Sequence, residues 1–224
     1  MVDKVCASAG AAVAGLRSGS VVLVGGFGDV GVPFEAVAAL ASSGVRDLTL
    51  ASNNCGTGER GLALLFKQGL VRRIYASFPA QAGNHHFRAA YESGAVTLDL
   101  VPQGTLAERI RAGAAGIGGF YVRTGVSTLV AAGKESMQIG DDLYLFEPPL
   151  RGDIALVKAA VADHFGNLRF RRTARNFNPL MAMAADLTIV EADEVVSTGS
   201  IDPDDVHLPG IFVDRVFKAT GNGC

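Results

Sequence analysis

Three short runs carry the polar chemistry of this sequence. Asn53-Asn54-Cys55-Gly56 and Pro102-Gln103-Gly104-Thr105 each follow an apolar stretch, and their side-chain amides could orient a carboxylate or a thioester carbonyl. Gly26-Phe27-Gly28-Asp29-Val30-Gly31 fits G-x-G-x-x-G, the spacing with which a strand-to-helix turn cradles a pyrophosphate. A dinucleotide site also wants an acid about 20 residues further on for the ribose hydroxyls. Ser52, Asn53 and Asn54 stand there instead, and Asp47 lies at the wrong end of the strand. The glycines are therefore read as a structural or substrate-facing turn rather than as an NAD site. For the Asn-Asn run an Asx turn is the simpler reading of that motif alone. Thr105 with Glu108 has capping-box spacing, so Thr105 could cap a helix while Gln103 reaches a ligand.

Groups able to do covalent or metal chemistry are harder to single out. His85 and His86 are adjacent and so are expected to point in different directions on a helix, while His164 and His207 stand alone; no metal-ligand spacing appears. Cys55 lies beside the presumed crevice but has no identifiable basic partner, so it reads as a small packing residue. Glu59, Glu92, Glu147 and Glu191 could act as bases by type, yet spacing favours none of them. Polar amides at strand ends without an evident nucleophile suggest chemistry completed by another chain.

The elements that must position these groups follow from periodicity. Helical spacing marks residues 5–16, a β-branched run at 21–24 reads as a buried strand, and the glycine loop 25–31 leads through Pro33 into a helix to about residue 43. Strands at 48–51, 74–77 and 96–101 then alternate with helices at 60–69, 84–93 and 105–112. Short apolar strands joined by helices imply an α/β fold with a mostly parallel sheet and helices on both faces. Residues 113–129 are too glycine-rich for a regular element and read as a covering loop. Beyond them, strands at 143–146, 154–160 and 187–191, a Gly166-Asn167 turn and a helix at 179–185 suggest shorter strands and hairpins. No polar linker divides the 224 residues, so one domain spanning 1–224 is expected.

Composition narrows the function classes. Twenty Lys and Arg against 22 Asp and Glu give a net charge of −2, which argues against a nucleic-acid partner. The longest stretch without a charged residue, 74–87, is too short for a membrane span of about 20 apolar residues. Asp3 comes too early for a secretory signal or transit peptide, so a cytoplasmic location follows by default. Cys6, Cys55 and Cys224 are odd in number and far apart, which suggests neither disulfides nor zinc. Twenty-eight glycines, well above the ordinary share of about 7%, mark tight turns and close backbone approaches.

Taken together, the ordered motifs resemble the A (alpha) subunit of family I coenzyme A transferases, of the 3-oxoacid and 3-oxoadipate type. The resemblance covers nearly the whole chain: the strand 21–24 with Gly25-Gly26-Phe27 and Gly31-Val32-Pro33, then Ala51-Ser52-Asn53-Asn54, Pro102-Gln103-Gly104-Thr105-Leu106-Ala107-Glu108-Arg109, Gly133-Lys134-Glu135, and Arg172-Thr173-Ala174-Arg175-Asn176-Phe177-Asn178-Pro179. In that family the acyl-CoA is attacked by a glutamate of the B (beta) subunit, forming an anhydride and then a glutamyl-CoA thioester. The resemblance implies that this chain closes the active site, with no catalytic nucleophile of its own. Phe27 and Gly28 would form a loop wall, and Asn53, Asn54 and Gln103 the polar groups around acyl carboxylate and oxyanion. Asn84, Gly116 and Phe120 complete the substrate-binding set that the resemblance implies.

Two segments depart from the family pattern. Ser-Tyr-Val-Gly-Glu-Asn becomes Ser77-Phe78-Pro79-Ala80-Gln81-Ala82-Gly83-Asn84, two residues longer, keeping the Asn but losing the Glu. Gly-Ile-Pro-Ala-Phe-Tyr becomes Gly116-Ile117-Gly118-Gly119-Phe120-Tyr121, with Gly118 freer than a proline. Both imply a reshaped substrate pocket. The expected partner is the B (beta) subunit of a CoA-transferase, in a heterodimer or heterotetramer, and the expected substrates are succinyl-CoA and a 3-oxoacid such as acetoacetate. CoA would enter as a cosubstrate, with no metal or prosthetic group. A 3-oxoadipate transferase, an acyl-CoA hydrolase or cleaving relative, and a non-catalytic acyl-CoA or nucleotide-binding module are the rival readings.

Overall fold

The computed structural model describes residues 2–221, so Cys224 lies outside the described residues. Seven strands form one parallel sheet: β1 (Val21–Val24), β2 (Leu48–Asn54), β3 (Val71–Phe78), β4 (Thr97–Leu100), β8 (Gly152–Asp163), β10 (Ala185–Val196) and β11 (Arg215–Lys218), in the order β11-β10-β8-β1-β2-β3-β4. The chain moves from β1 to β4 in one direction and returns to the other side of β1 with β8. The order therefore reverses at β1, and the glycine loop leaves its carboxyl end at the position where open parallel sheets form a crevice.

Alternation along the strands divides the core in two. Val22, Val24, Leu48, Leu50, Ile74, Leu156 and Ile189 face one side, where α2 (Phe34–Ser42), α3 (Leu62–Lys67) and α4 (His85–Glu92) cover them. Leu23, Ala51, Ala155, Val157 and Val190 face the other, under α5 (Gln103–Ala115) and α6 (Asn178–Met183). Successive residues of β1 thus enter different cores, the two-residue period of a strand buried on both faces. Each fully buried aliphatic side chain contributes about 1.5–3 kcal/mol, so this pattern fixes the register. The α/β expectation is borne out.

Three local expectations are corrected. Helix α1 covers only Ala9–Ala12, because Ser8 Oγ accepts from Ala11 N and stops extension backwards, while Val5 leaves to bridge Val216 at the sheet edge. Helix α5 begins at Gln103, not Thr105; Pro102 occupies its cap without a side-chain hydrogen bond, so Thr105 is a buried helical residue and no capping box forms. The second half is not mainly short strands: β8 and β10 run 12 residues each and pair in parallel. The hairpin at Gly166-Asn167 does form, pairing β8 with β9 (Leu168–Arg169) antiparallel.

The glycine-rich stretch is less irregular than expected. Its first residues complete α5, Gly116 caps that helix in the left-handed conformation at φ 69°, and Phe120–Val122 forms β5. With β6 (Ser136–Ile139) and β7 (Asp142–Glu147), β5 builds a separate three-stranded antiparallel sheet in the order β5-β7-β6. Among the described residues no helix is long and apolar enough to cross a membrane.

Candidate functional site

The glycine loop folds into a four-residue turn in which Phe27 and Val30 exchange backbone hydrogen bonds of 3.0 and 3.1 Å. Gly28 sits at its tip with φ 59°, and the Phe27 ring stands half in solvent. Two asparagines buckle this turn from below. Asn176 Oδ1 accepts from Gly26 N at 3.2 Å, and its Nδ2 donates to Val30 O at 3.0 Å. Fully buried Asn178 donates through Nδ2 to Gly31 O at 3.0 Å and accepts at Oδ1 from Lys158 N at 2.9 Å. A Cβ on Gly25 would stand 1.9 Å from that Oδ1, so only glycine lets β1 pass this amide.

The loop is no pyrophosphate cradle. The helix N-terminus behind it is already occupied: Glu191 Oε2 accepts from Glu35 N at 2.8 Å and Ala36 N at 3.0 Å, where α2 begins. A phosphate would have to displace that carboxylate. Burial raises the Glu191 pKa above the ordinary carboxylate range, against the opposing pull of Lys158, 3.0 Å away, and of the two amides. Burial alone would lower the Lys158 pKa, but Glu191 and Asp193 reverse that and leave it raised.

The Asn pair divides its work. Asn54 Oδ1 accepts from Gly56 N at 2.9 Å, which is the expected Asx turn, and its Nδ2 reaches Gly28 O at 3.2 Å. Asn53, also buried, accepts at Oδ1 from Gln103 Nε2 at 2.7 Å. Phe27, Gly28, Asn53, Asn54 and Gln103 are thus joined across the carboxyl ends of β1, β2 and β4. Cys55 is fully buried, and burial pushes its thiol up to about 12, in keeping with a packing role.

The other three expected residues stand apart. Asn84 is buried and its amide donates to Pro79 O, which closes the long loop before α4. Gly116 ends the helix that Gln103 begins, so thirteen residues at about 1.5 Å each put some 20 Å between them. Phe120 lies on β5 opposite Glu147. A cavity of about 600 Å³ adjoins the glycine loop instead, lined by Val30, Lys158, Arg171, Arg172 and Glu191 among others; none of the eight expected substrate-binding residues, Phe27, Gly28 and Asn54 included, lines it.

Asn176, Asn178 and Arg172 all lie in the 172–179 motif, but nothing in its spacing marks their roles. Arg172 holds φ 50°, a left-handed backbone costing about 1–2 kcal/mol for a side-chain-bearing residue, where it enters the cavity wall. Glu147 is likewise unmarked by sequence spacing. Its carboxylate is wholly buried, takes a hydrogen bond from Lys134, and lies 4.0 Å from Arg109 Nε. Two motifs far apart in sequence therefore meet at one carboxylate.

The Coenzyme A transferase family profile matches residues 6–219. The A subunit of the 3-oxoadipate CoA-transferase of Pseudomonas putida is 48% identical over 99% of this chain and 96% of its own. The A subunit of the succinyl-CoA:3-ketoacid coenzyme A transferase of Helicobacter pylori strain J99 is 44% identical over 97% and 93%. The alpha subunit of the acetate CoA-transferase of Escherichia coli K12 is 45% identical over 90% of each. Among solved structures, glutaconate coenzyme A-transferase from Acidaminococcus fermentans superposes with a TM-score of 0.85 at 23% identity, over 96% of this chain and 75% of that one. The acyl-CoA transferase of E. coli O157:H7, in thioester complex with CoA, gives 0.87 at 21% identity over 100% of this chain, which spans about half of that one (49%). Profile and relatives agree along almost the full length, so the chain belongs to the coenzyme A transferase family.

Proposed function

We propose that this chain is the non-nucleophilic A subunit of a 3-oxoacid CoA-transferase, moving CoA from succinyl-CoA to a 3-oxoacid such as acetoacetate, with the nucleophilic glutamate supplied by the B subunit. The observation that carries this reading is the state of its own candidate nucleophiles. Glu191 is spent capping α2 and pairing Lys158. Glu147 is sealed against Lys134, and Cys55 is held protonated. What stands at the strand ends is neutral amides and backbone, which orient and stabilise rather than attack.

In the proposed reaction a glutamate of the second polypeptide attacks the thioester carbonyl, expelling the CoA thiolate and forming a mixed anhydride. The thiolate then attacks the glutamyl carbonyl, which frees the donor carboxylate and leaves glutamyl-CoA. The acceptor's carboxylate runs the same two steps in reverse. Residues Asn53 and Gln103 would polarise the acyl oxygen, with Phe27 and Gly28 walling the crevice; Asn54 would hold the Gly28 carbonyl in place. Asn84, Gly116 and Phe120 are proposed to shape the far side of the substrate region.

Pairing is supported by apolar surface that a lone subunit leaves in water. Met137 and Ile139 share one face of β6 at 43% and 46% exposure, and Leu129 is 96% exposed. The relatives' designation as A subunits supports a B-subunit partner, and the assembly proposed is a heterodimer or heterotetramer. The 3-oxoadipate acceptor is a second reading, supported by the P. putida 3-oxoadipate relative, which matches 99% of this chain. Mass spectrometry of the pair incubated with succinyl-CoA and no acceptor tests the division of labour: the CoA adduct is expected on the B subunit, and an adduct on this chain would refute it.

A further inference from the structure

We infer that Glu59, His85 and His86 form a binding site for a divalent transition-metal ion of the zinc, cobalt or nickel class, clasping the loop after β2 to the start of α4. This inference does not rest on the proposed transferase activity. The sequence expectation that the adjacent histidines diverge is corrected here. Both stand in the first turn of α4, where side chains lean towards the helix N-terminus, and both rings lean onto Glu59. His85 Nε2 and His86 Nε2 lie 3.1 and 2.9 Å from the same oxygen, Glu59 Oε1, with ring centroids 4.1 Å apart.

The three donor atoms lie within 4.8 Å of one another. An ion with ligand bonds of about 2.0–2.1 Å sets tetrahedral neighbours roughly 3.3 Å apart, close to the 3.1 and 2.9 Å that separate the two imidazole nitrogens from Glu59 Oε1. The hydrogen-bond accounting at His85 points the same way. Its Nδ1 faces Gly83 O at 3.1 Å while its Nε2 faces the carboxylate, and a neutral imidazole has only one N–H to give. With Nδ1–H on the carbonyl, Nε2 presents a lone pair to an oxygen lone pair. A metal ion between them turns that repulsion into two bonds and leaves the Nδ1–H to carbonyl contact that metal-bound histidines usually keep.

Lys67 Nζ holds Glu59 Oε2 at 2.7 Å, which leaves Oε1 turned towards the imidazoles. Two imidazoles and one carboxylate suit zinc, cobalt or nickel over the oxygen-seeking calcium and magnesium. With 58% of both the Glu59 and His85 side chains exposed, the remaining coordination positions open to water. Gly58 N already donates to Gly83 O at 3.0 Å across the same gap, so an ion would brace an existing contact, one loop removed from Asn53 and Asn54.

The untagged full-length chain, stripped with a chelator, is titrated with Zn²⁺ by calorimetry and with Co²⁺ by visible absorption. One equivalent of each is expected, with cobalt d–d bands, weakened at least tenfold by His86→Ala or Glu59→Gln and retained in His164→Ala. Circular dichroism confirms that the surface variants keep their helix content. An absence of uptake, or equal uptake by a His85→Ala/His86→Ala double variant, overturns the site and leaves an imidazole-carboxylate hydrogen-bond cluster.

Discussion

The Gln103 amide donates to Asn53 Oδ1 across 2.7 Å, joining the first turn of α5 to the carboxyl end of β2. Asn53 is almost wholly buried and Gln103 is not, so the pair conducts the order of the sheet out to a solvent-facing amide. Gln103→Ala leaves a buried acceptor unpaired, a loss of about 1–3 kcal/mol, or roughly 5- to 150-fold if it falls wholly on the rate. Exchange kinetics of the assembled pair measure this; unchanged kcat/KM would remove Gln103 from the site.

Gly25 and Gly28 lie in one loop but answer to different constraints. A methyl at Gly25 meets Asn178 Oδ1 at 1.9 Å, while at Gly28 nothing lies within 4 Å and only the positive φ of 59° resists. Gly25→Ala is expected to cost about 3 kcal/mol, at the upper end for overpacking, and Gly28→Ala about 1–2 kcal/mol. Denaturant unfolding of the two variants gives the ranking, and a larger loss at Gly28 would contradict the Asn178 contact.

A thiol held near 12 is almost entirely protonated at pH 7. In the native protein Cys55 should resist alkylation by iodoacetamide while half-buried Cys6 reacts, and Cys55 should react fully in guanidinium. Peptide mapping of the labelled chain reads both. Rapid native labelling of Cys55 would mean that its pocket is open.

The raised Glu191 pKa has a definite sign for stability. Between the ordinary carboxylate value of 4.5 and its higher folded value, the folded chain binds more proton than the unfolded one. This contribution to stability is therefore complete at low pH and is lost as pH rises through the folded pKa. The stability of the natural chain relative to Glu191→Gln should grow as pH falls from 8 towards 4.5. Thermal unfolding across that range measures the difference, and the opposite slope would show Glu191 to be depressed by Lys158.

The first half of the parallel sheet was legible because strands such as β1 are short, apolar and buried on both faces, as at Val22, Leu23 and Val24. That Asn53 and Gln103 share one crevice was legible, since each leaves the carboxyl end of a strand of the same sheet; the hydrogen bond between them, across the intervening β3, was not. Other features depend on contacts that spacing cannot encode. The long parallel course of β8 and β10 comes from pairing with each other and with β1. The clamp of Asn176 and Asn178 on the glycine loop spans about 150 residues of chain. The histidine pair misled because the divergence of adjacent helical residues holds within a helix, whereas at its first turn both rings can fold back onto a neighbouring loop.

The central claim is that this chain supplies a binding wall and its partner the nucleophile. CoA exchange should be assayed with the chain alone and with a co-expressed CoA-transferase B subunit, using succinyl-CoA against acetoacetate and against 3-oxoadipate. The account predicts no exchange by the chain alone and exchange by the pair, fastest with acetoacetate. Exchange by the chain alone, or hydrolysis without exchange by the pair, would contradict it.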